Sequence, residues 1–141
     1  MYFWFVFVTY FSGDIHALKI PKMGESPRLS WSFNLPNDSF VSSYSIDDSL
    51  YLSTLSGDIY KIASSDGRVI WKRHIATSAD YLLSYQDKLY ILTSNGQLIV
   101  VSRESGKELF KRYFAARLLP PIFKDKWILL PTATGSVYVL K

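Results

Sequence analysis

Short apolar runs alternate with polar turn residues along almost the whole chain. Residues 50–71, LYLSTLSGDIYKIASSDGRVIW, form three strand-length runs separated by the turns Ser56-Gly57-Asp58 and Ser65-Asp66-Gly67. Runs of β-branched and aromatic residues bounded by Gly, Ser and Asp are typical of strands joined by tight hairpins. The pattern therefore predicts antiparallel β structure, and no segment requires a helix.

The same pattern returns at residues 89–110 as LYILTSNGQLIVVSRESGKELF. Turn glycines recur along the chain at intervals of 44, 39 and 39 residues. In the two middle copies a second glycine follows ten residues later, and an aromatic ring stands four residues beyond it. A fixed period of this length indicates a repeat architecture. The predicted structural anchors of the repeat are Gly13, Gly57, Gly96, Gly135, Gly67, Gly106, Trp31, Trp71 and Phe110.

A fourth apolar run, at 40–46, 81–85 and 121–123, lies between each ring and the next turn glycine. Four short strands per repeat of about 40 residues are typical of β-propeller blades. The prediction is an all-β fold, a partial β-propeller of about three four-stranded antiparallel blades plus an extra hairpin. It is a single domain, 1–141, with blade-like repeats at about 1–48, 49–87 and 88–125 and a terminal hairpin at 126–141. A β-sandwich with coincidental spacing is the alternative.

The first stretch, MYFWFVFVTYF, has two interpretations. It is shorter than the roughly 20 apolar residues that span a bilayer, so no transmembrane span is expected. It lacks the positive region and the small-residue cleavage site of a signal peptide. VFVTYFSG, residues 6–13, aligns with LYLSTLSG, residues 50–57, and therefore predicts a strand. An export signal remains the alternative.

Composition excludes several kinds of site. The chain has no cysteine and two histidines, so neither a disulfide framework nor a thiolate metal site can form, and a histidine metal site lacks ligands. The net charge is +4; residues 1–48 contribute −2 and residues 49–141 contribute +6. The positive charge of residues 49–141 is less dense than the basic stripe of a dedicated nucleic-acid-binding protein, so nucleic acid is not the expected partner.

Two segments carry a resemblance to a known family: GDIYKIASSDGRVIWK, residues 57–72, and GQLIVVSRESGKELFK, residues 96–111. Their order of turn glycine, alternating strand, Asp/Ser-x-x-x-Gly turn and ring resembles the pyrroloquinoline-quinone-like propeller repeat. In that family the ring is a Trp that packs against the adjacent blade. The resemblance carries this role onto Trp31 and Trp71, whereas Phe110 departs from the pattern.

The resemblance implies two different functions. One branch consists of quinoprotein dehydrogenases, which oxidise alcohols or sugars with a bound quinone and Ca²⁺. The other branch binds no cofactor and provides protein-interaction scaffolds, among them the propeller lipoprotein of the outer-membrane β-barrel assembly machinery. Residues 87–110 look most like the second branch. The resemblance therefore implies a non-catalytic scaffold in the periplasm or cell envelope, with no cofactor; a fragment of a dehydrogenase propeller is the alternative.

The candidate chemistry agrees with a scaffold. Most Asp residues lie in turns, where their side chains usually bind the local backbone, and no nucleophile or phosphate-loop motif is present. One recurrent surface feature follows the rings: Lys72, Arg73, Lys111 and Arg112, which we call the basic ridge, with His74 and Arg117 nearby. Its ordinary explanation is that charge on an outermost strand blunts the open sheet edge.

The repeat count predicts that the chain does not close a ring by itself. Residues 3–20 and 127–140 match the same pair of strands in the repeat, and propellers contain at least four blades. We therefore expect further propeller blades, a homo-oligomer or other protein partners to cover the ends of the arc. The chain is then either a piece of a larger propeller or an arc that oligomerises.

Overall fold

The computed structural model describes residues 4–22 and 24–141. It is built of strands, each of which pairs antiparallel with its neighbours. In chain order the described strands are β1 (Trp4–Thr9), β2 (Asp14–Ile20), β3 (Arg28–Asn34), β4 (Phe40–Ile46), β5 (Ser49–Thr54), β6 (Asp58–Ala63), β7 (Val69–His74), β8 (Ala79–Tyr85), β9 (Lys88–Thr93), β10 (Gln97–Ser102), β11 (Glu108–Tyr113), β12 (Ile122–Lys124), β13 (Trp127–Pro131) and β14 (Val137–Leu140).

The strands form four sheets that follow one another along the chain. Blade 1 contains β1–β3, blade 2 contains β4–β7, blade 3 contains β8–β11, and blade 4 contains β12–β14. The prediction of an all-β fold, a partial propeller of antiparallel blades, is confirmed. The grouping differs from three four-stranded blades plus a hairpin: the two middle sheets have four strands and the two outer sheets have three. The predicted hairpin at 126–141 gains β12 as a third strand, because β12 pairs with β13.

The sequence repeat and the sheets are offset by one strand. The repeat at 49–87 contains β5–β7 of blade 2 and then β8, which is the first strand of blade 3. Each repeat therefore ends inside the next sheet. Because of this offset, each repeat contributes strands to two successive blades, and its backbone links them.

The core lies between the blades and is divided into three layers. Ile15 and Trp31 of blade 1 pack with Leu52 and Ile62 of blade 2. The other two layers are built in the same way. One joins blade 2 to blade 3 around Tyr51 and Ile91, and the other joins blade 3 to blade 4 around Leu92, Leu98 and Leu130. Each middle blade thus buries both of its faces, which explains the uninterrupted apolar runs in its inner strands.

The N-terminal stretch forms a strand from Trp4 onward, and β1 pairs with β2 along its whole length. Residues 1–3 of that stretch lie outside the described residues. Among the described residues there is no helix long and apolar enough to cross a membrane.

Candidate functional site

A tryptophan from one blade packs on a glycine turn of the next blade, and the contact occurs twice. Trp31 Nε1 donates to the carbonyl of Ser64 at 2.8 Å, and its ring covers Gly67. Trp71 Nε1 donates to the carbonyl of Arg103 at 3.0 Å, and its ring covers Gly106. Each contact joins an outermost strand to the turn before the outermost strand of the following blade. The repeat therefore places the predicted ring and glycine anchors in one docking contact.

Glycine is required at these turns for two reasons. Gly67 and Gly106 have φ values of 77° and 74°, a left-handed conformation that costs other residues free energy. A Cβ at Gly67 would lie 2.6 Å from Cε3 of Trp31, and a Cβ at Gly106 would lie 2.8 Å from Cδ2 of Trp71. The ring can approach this closely because the turn has no side chain. The need for a turn without a side chain therefore explains both the fixed position of these glycines in the repeat and the close packing of the tryptophan rings on them.

The other anchor glycines touch the loop that leads into the next blade. Gly57 accepts a hydrogen bond from the backbone N–H of Ile75 at 2.7 Å, and a Cβ there would lie 2.5 Å from the nitrogen of Thr77. Gly13 and Gly96 make the same contact with Leu35 and Phe114. Gly135 has the same turn conformation, with φ of 90°, but faces open space.

Arg103 forms a clamp between blades 2 and 3 that sequence reasoning missed. Its guanidinium donates to Asp47 at 2.9 Å, to the Tyr51 hydroxyl at 3.2 Å and to the carbonyl of Gln86 at 3.0 Å. These hydrogen bonds, first with Asp47 and then with Tyr51, raise the pKa of Arg103 above its ordinary value. The available sequence signal was a departure from the repeat, because Ser64 occupies the equivalent position one blade earlier.

Two members of the basic ridge are held by carboxylates. Lys72 Nζ lies 3.2 Å from Asp58, and its pKa is raised by Tyr60 and then by Asp58. Arg73 pairs with Glu108 at 2.8 Å and donates to the carbonyl of Gly106 at 3.2 Å, so it reinforces the docking contact of blade 2 on blade 3. Lys72 and Arg73 therefore form ion pairs and hydrogen bonds with other parts of the fold.

The rest of the predicted ridge is more exposed. Lys111 is exposed, and the guanidinium of Arg112 lies 4.8 Å from the ring centre of Phe114. The nearby His74 lies 2.7 Å from Asp58, and Arg117 lies 3.1 Å from Asp80. The arrangement is a row of separate ion pairs and ring contacts along the outer strands.

Phe110 differs from the two tryptophans in its surroundings. It occupies the same place in the repeat as Trp71, yet it is 43% exposed. Its ring lines a cavity between blades 3 and 4 together with Tyr90 and Ile128. No described turn covers it.

The carboxylates do not converge into a calcium–quinone site. Asp14 accepts hydrogen bonds from Ser12 and Asn34, which lower its pKa. Asp38 accepts hydrogen bonds from Ser39 and Ser56, whereas Asp47, Asp80 and Glu108 each pair with an arginine that is remote in the sequence. Within the described ranges no three Asp, Glu or His side chains group as metal ligands. The donor set present here therefore does not fit the quinone chemistry of the dehydrogenase branch.

Comparisons with known proteins identify the fold and the family. A family model described as outer membrane protein assembly factor BamB matches residues 55–141. No curated relative matches the sequence significantly. The solved structures that share the fold include three of different kinds. BamB from Moraxella catarrhalis is 20% identical, with a TM-score of 0.76 over 95% of this chain and 41% of that one.

The other two structures are more distant in sequence. The computationally designed Ika4 protein is 14% identical, with a TM-score of 0.81 over 96% of this chain and 84% of that one. A europium-containing methanol dehydrogenase is 14% identical, with a TM-score of 0.61 over 79% of this chain and 23% of that one. The chain thus spans less than half of the length of the BamB structure. Because the family model matches more than half of the chain, the chain belongs to the family of outer membrane protein assembly factor BamB, a branch of the pyrroloquinoline-quinone-like propeller repeats.

Proposed function

We propose that the chain is a non-catalytic protein-interaction scaffold that takes part in outer membrane protein assembly in the periplasm or cell envelope. The observation that carries this proposal is the match of residues 55–141 to the assembly-factor family. The site supports it, because the tryptophan rings, the glycine turns and the Arg103 side chain hold blades together, and the acids described above form ion pairs and hydrogen bonds within the fold. In this role the arc is a rigid support, and its loops and sheet edges are the surfaces available to partners.

A cellular experiment tests the scaffold role. The gene is deleted in the source cells, and the folded fraction of outer-membrane β-barrel proteins is measured by their heat-dependent mobility on gels. We expect a lower folded fraction, restored by the wild-type chain but not by the Trp31→Ala/Trp71→Ala double variant. A variant changed at the exposed Lys111 serves as a matched control and should restore assembly. An unchanged folded fraction in the deletion strain would contradict the proposal.

The competing function is a piece of a quinone-dependent dehydrogenase, and the fold shared with the methanol dehydrogenase is the observation in its favour. The test is incubation with the quinone and Ca²⁺, dialysis, and then absorbance and a dye-linked alcohol oxidation assay. We expect no retained quinone and no turnover. Retained quinone with turnover would overturn the scaffold proposal.

The outer faces of the two end blades favour a protein partner. Blade 4 presents an apolar row on the side away from blade 3, and its members include Trp127, Val137 and Val139, which are 48%, 59% and 56% exposed. Val6 on blade 1 is also exposed. We propose that further propeller blades or a second copy cover these faces, since blade 2 covers blade 3 in the same way. Light scattering tests this; a stable monomer at all concentrations would contradict it.

A further inference from the structure

Four hairpin turns of the same shape lie at one end of the arc, each built around an anchor glycine with φ between 88° and 95°. The residue two positions before the glycine forms the tip of the turn, and its side chain is exposed in all four copies. The tip residue is Phe11 in blade 1 and Leu55 in blade 2, but Ser94 in blade 3 and Ala133 in blade 4. Because Ser and Ala form the same turn, the fold does not require a large apolar side chain at the tip.

The tip position is exposed even in a fully packed blade. Blade 2 packs against a blade on each side, and the loop that precedes it contacts its turn, since the N–H of Leu55 donates to the carbonyl of Ser39 at 2.8 Å. The Leu55 side chain is nevertheless 57% exposed. Phe11 occupies the same position of the repeat and is 72% exposed. The tips therefore point away from the neighbouring blades and into solvent.

The loop at 35–39 joins the two apolar tips into one surface. On the side of blade 1, the N–H of Leu35 donates to the carbonyl of Gly13 at 2.9 Å, and a Cβ at Gly13 would lie 2.6 Å from the carbonyl oxygen of Asp38. On the side of blade 2, the carboxylate of Asp38 accepts hydrogen bonds from the N–H and the hydroxyl of Ser56. We call this continuous surface the tip surface; it comprises residues 10–14, 35–39 and 54–58.

The tip surface carries two carboxylates that are not paired with a basic side chain. Asp14 accepts hydrogen bonds from neutral groups, as Asp38 does. In the part of the chain that the structure describes, no lysine or arginine lies within ion-pair distance of either carboxylate, whereas Asp47, Asp80 and Glu108 each pair with an arginine. Negative charge therefore stands uncompensated beside the two apolar tips, although the chain as a whole is basic.

The apolar and the acidic residues are absent together from the rest of this end of the arc. The residue after the turn glycine is Asp14 in blade 1 and Asp58 in blade 2, but Gln97 in blade 3 and Ser136 in blade 4. Asp58 is paired with Lys72 at 3.2 Å, so Asp14 carries the free charge of this pair of positions. A single ligand that contacts apolar and acidic groups at once accounts for both differences between the blades.

We propose that the tip surface binds a segment of a partner polypeptide in which apolar side chains stand next to lysine or arginine. The exposed tips supply apolar contact area, and the neighbouring carboxylates select a cation and repel an acidic segment. The same carboxylates oppose insertion of the tips into an anionic lipid surface, which the exposed Phe11 ring alone would favour. The inference rests on the proposed scaffold function for the existence of a partner.

Titration with synthetic peptides tests the chemistry of the tip surface. The probe is an acetylated octapeptide of two Arg-Leu-Leu-Arg units, titrated into the 141-residue chain by calorimetry. We expect saturable binding with a Kd below about 1 mM. The same peptide with Glu at every Arg, or with Ser at every Leu, should bind about tenfold more weakly or less. A rise in salt from about 0.05 M to about 0.5 M should weaken the original peptide about threefold, because exposed charges are screened.

Chain variants locate the binding. Phe11→Ser and Leu55→Ser each copy the tip of the blade 3 turn, so the fold is retained, and the affinity for the peptide should fall about fivefold in each. Asp14→Asn should weaken binding about threefold and reduce its dependence on salt. The matched control is Tyr113→Ser, which removes a ring that is 64% exposed on the outermost strand of blade 3 and should leave binding unchanged.

Several outcomes would overturn the proposal. They are absence of saturable binding, equal binding of the peptide with Glu, and unchanged binding by both Phe11→Ser and Leu55→Ser. Binding to vesicles of anionic phospholipid that Phe11→Ser abolishes would overturn it in favour of a lipid surface. Self-association that Phe11→Ser reverses in sedimentation would overturn it in favour of a second copy. The titration uses the purified chain and does not depend on outer membrane assembly, so its failure is distinguishable from failure of the proposed function.

Discussion

The middle and end blades are built from similar sequences but are buried to different extents. In blade 2 all six residues of β5 are buried, and in blade 3 five of the six residues of β9 are buried. In blade 4 the equivalent strand β13 buries only Leu130, and the described side chains of β1 in blade 1 are all partly or largely exposed. The difference follows from the number of covered faces. Burial in a repeat arc is therefore determined by the neighbours of a blade as well as by its own residues.

The aromatic ring at one position of the repeat also differs in burial, according to what covers it. Trp71 lies against Gly106 of the following blade, whereas Phe110 borders a cavity. We expect Trp71→Ala to lower the free energy of unfolding by about 3 kcal/mol, since it empties a ring-sized space and removes a hydrogen bond. Phe110→Ala should cost about 1 kcal/mol, because a half-exposed ring contributes less burial. Urea unfolding followed by circular dichroism measures both.

Equal losses for these two variants would show that Phe110 is anchored as firmly as Trp71. The distinction between a ring that docks on a middle blade and a ring that faces an end blade would then fail. Phe110→Trp should be tolerated, since the repeat accepts Trp at the other two copies.

Two glycines provide the next comparison. Gly106 and Gly24 both have positive φ, 74° and 89°, so replacement by Ala strains the backbone at both. Only at Gly106 does the new Cβ meet a ring. Gly106→Ala should therefore lower the free energy of unfolding by about 2 kcal/mol more than Gly24→Ala does. Thermal melts of the two variants side by side test this, and equal melting temperatures would show that the ring moves aside at little cost.

Within residues 4–22 and 24–141, an arginine clamp of this kind occurs only between the two middle blades. Its side chain is 19% exposed and carries hydrogen bonds to a carboxylate, a hydroxyl and a carbonyl. We expect Arg103→Ala to cost about 1.5 kcal/mol, the range for hydrogen bonds that involve a charged group. Glu104→Ala, at the exposed neighbouring residue, is the control and should have little effect. A double variant with Asp47→Ala should lose less than the sum of the single losses, because the two residues share one interaction.

The smallest expected effect depends on pH. Burial alone would raise the pKa of Asp38, but hydrogen bonds from Ser56 and from the backbone of Ser39 outweigh it and lower the pKa below 3.8. A carboxyl with a lowered pKa in the folded state stabilises the fold above its unfolded value, and this contribution is lost as the pH falls through the folded value. Asp38→Asn should therefore destabilise the chain at pH 7 and have a smaller effect at pH 3.

Urea midpoints at the two pH values measure this difference. Asp87→Asn, at an exposed turn residue, is the control. A loss from Asp38→Asn that is the same at pH 3 and pH 7 would show that shape, and not charge, is what Asp38 contributes.

The strands and turns were predictable because a glycine recurs at the hairpin turn of each repeat, where the backbone needs a positive φ. The turns at Gly13, Gly57, Gly96 and Gly135 all have φ between 88° and 95°, a conformation that glycine adopts without strain. A fixed interval between such turns determines the number and length of the strands between them. The grouping into blades was less visible, because the offset of one strand between repeat and sheet leaves no mark in the sequence.

The side-chain contacts between blades were only partly predictable. The family pattern indicated that Trp31 and Trp71 dock, but the Arg103 clamp joins residues up to 56 positions apart and depends on how the blades stack. Lys72 and Arg73 read as a basic ridge because their partners are remote in sequence: Asp58 lies on the adjacent strand, and Glu108 lies on the next blade. Charge along the chain therefore overstates the free charge on the surface.

The offset between repeat and sheet also bears on how such a chain changes length in evolution. A tandem duplication of residues 49–87 would copy three strands of one sheet together with the strand that opens the next. The inserted unit would meet a matching ring before it and a matching glycine turn after it, with backbone pairing on both sides. Growth by whole 39-residue units therefore keeps each docking ring opposite a glycine turn. An insertion or deletion of part of a unit would separate a ring from its glycine turn. The number of units should therefore vary in evolution more readily than the length of each unit.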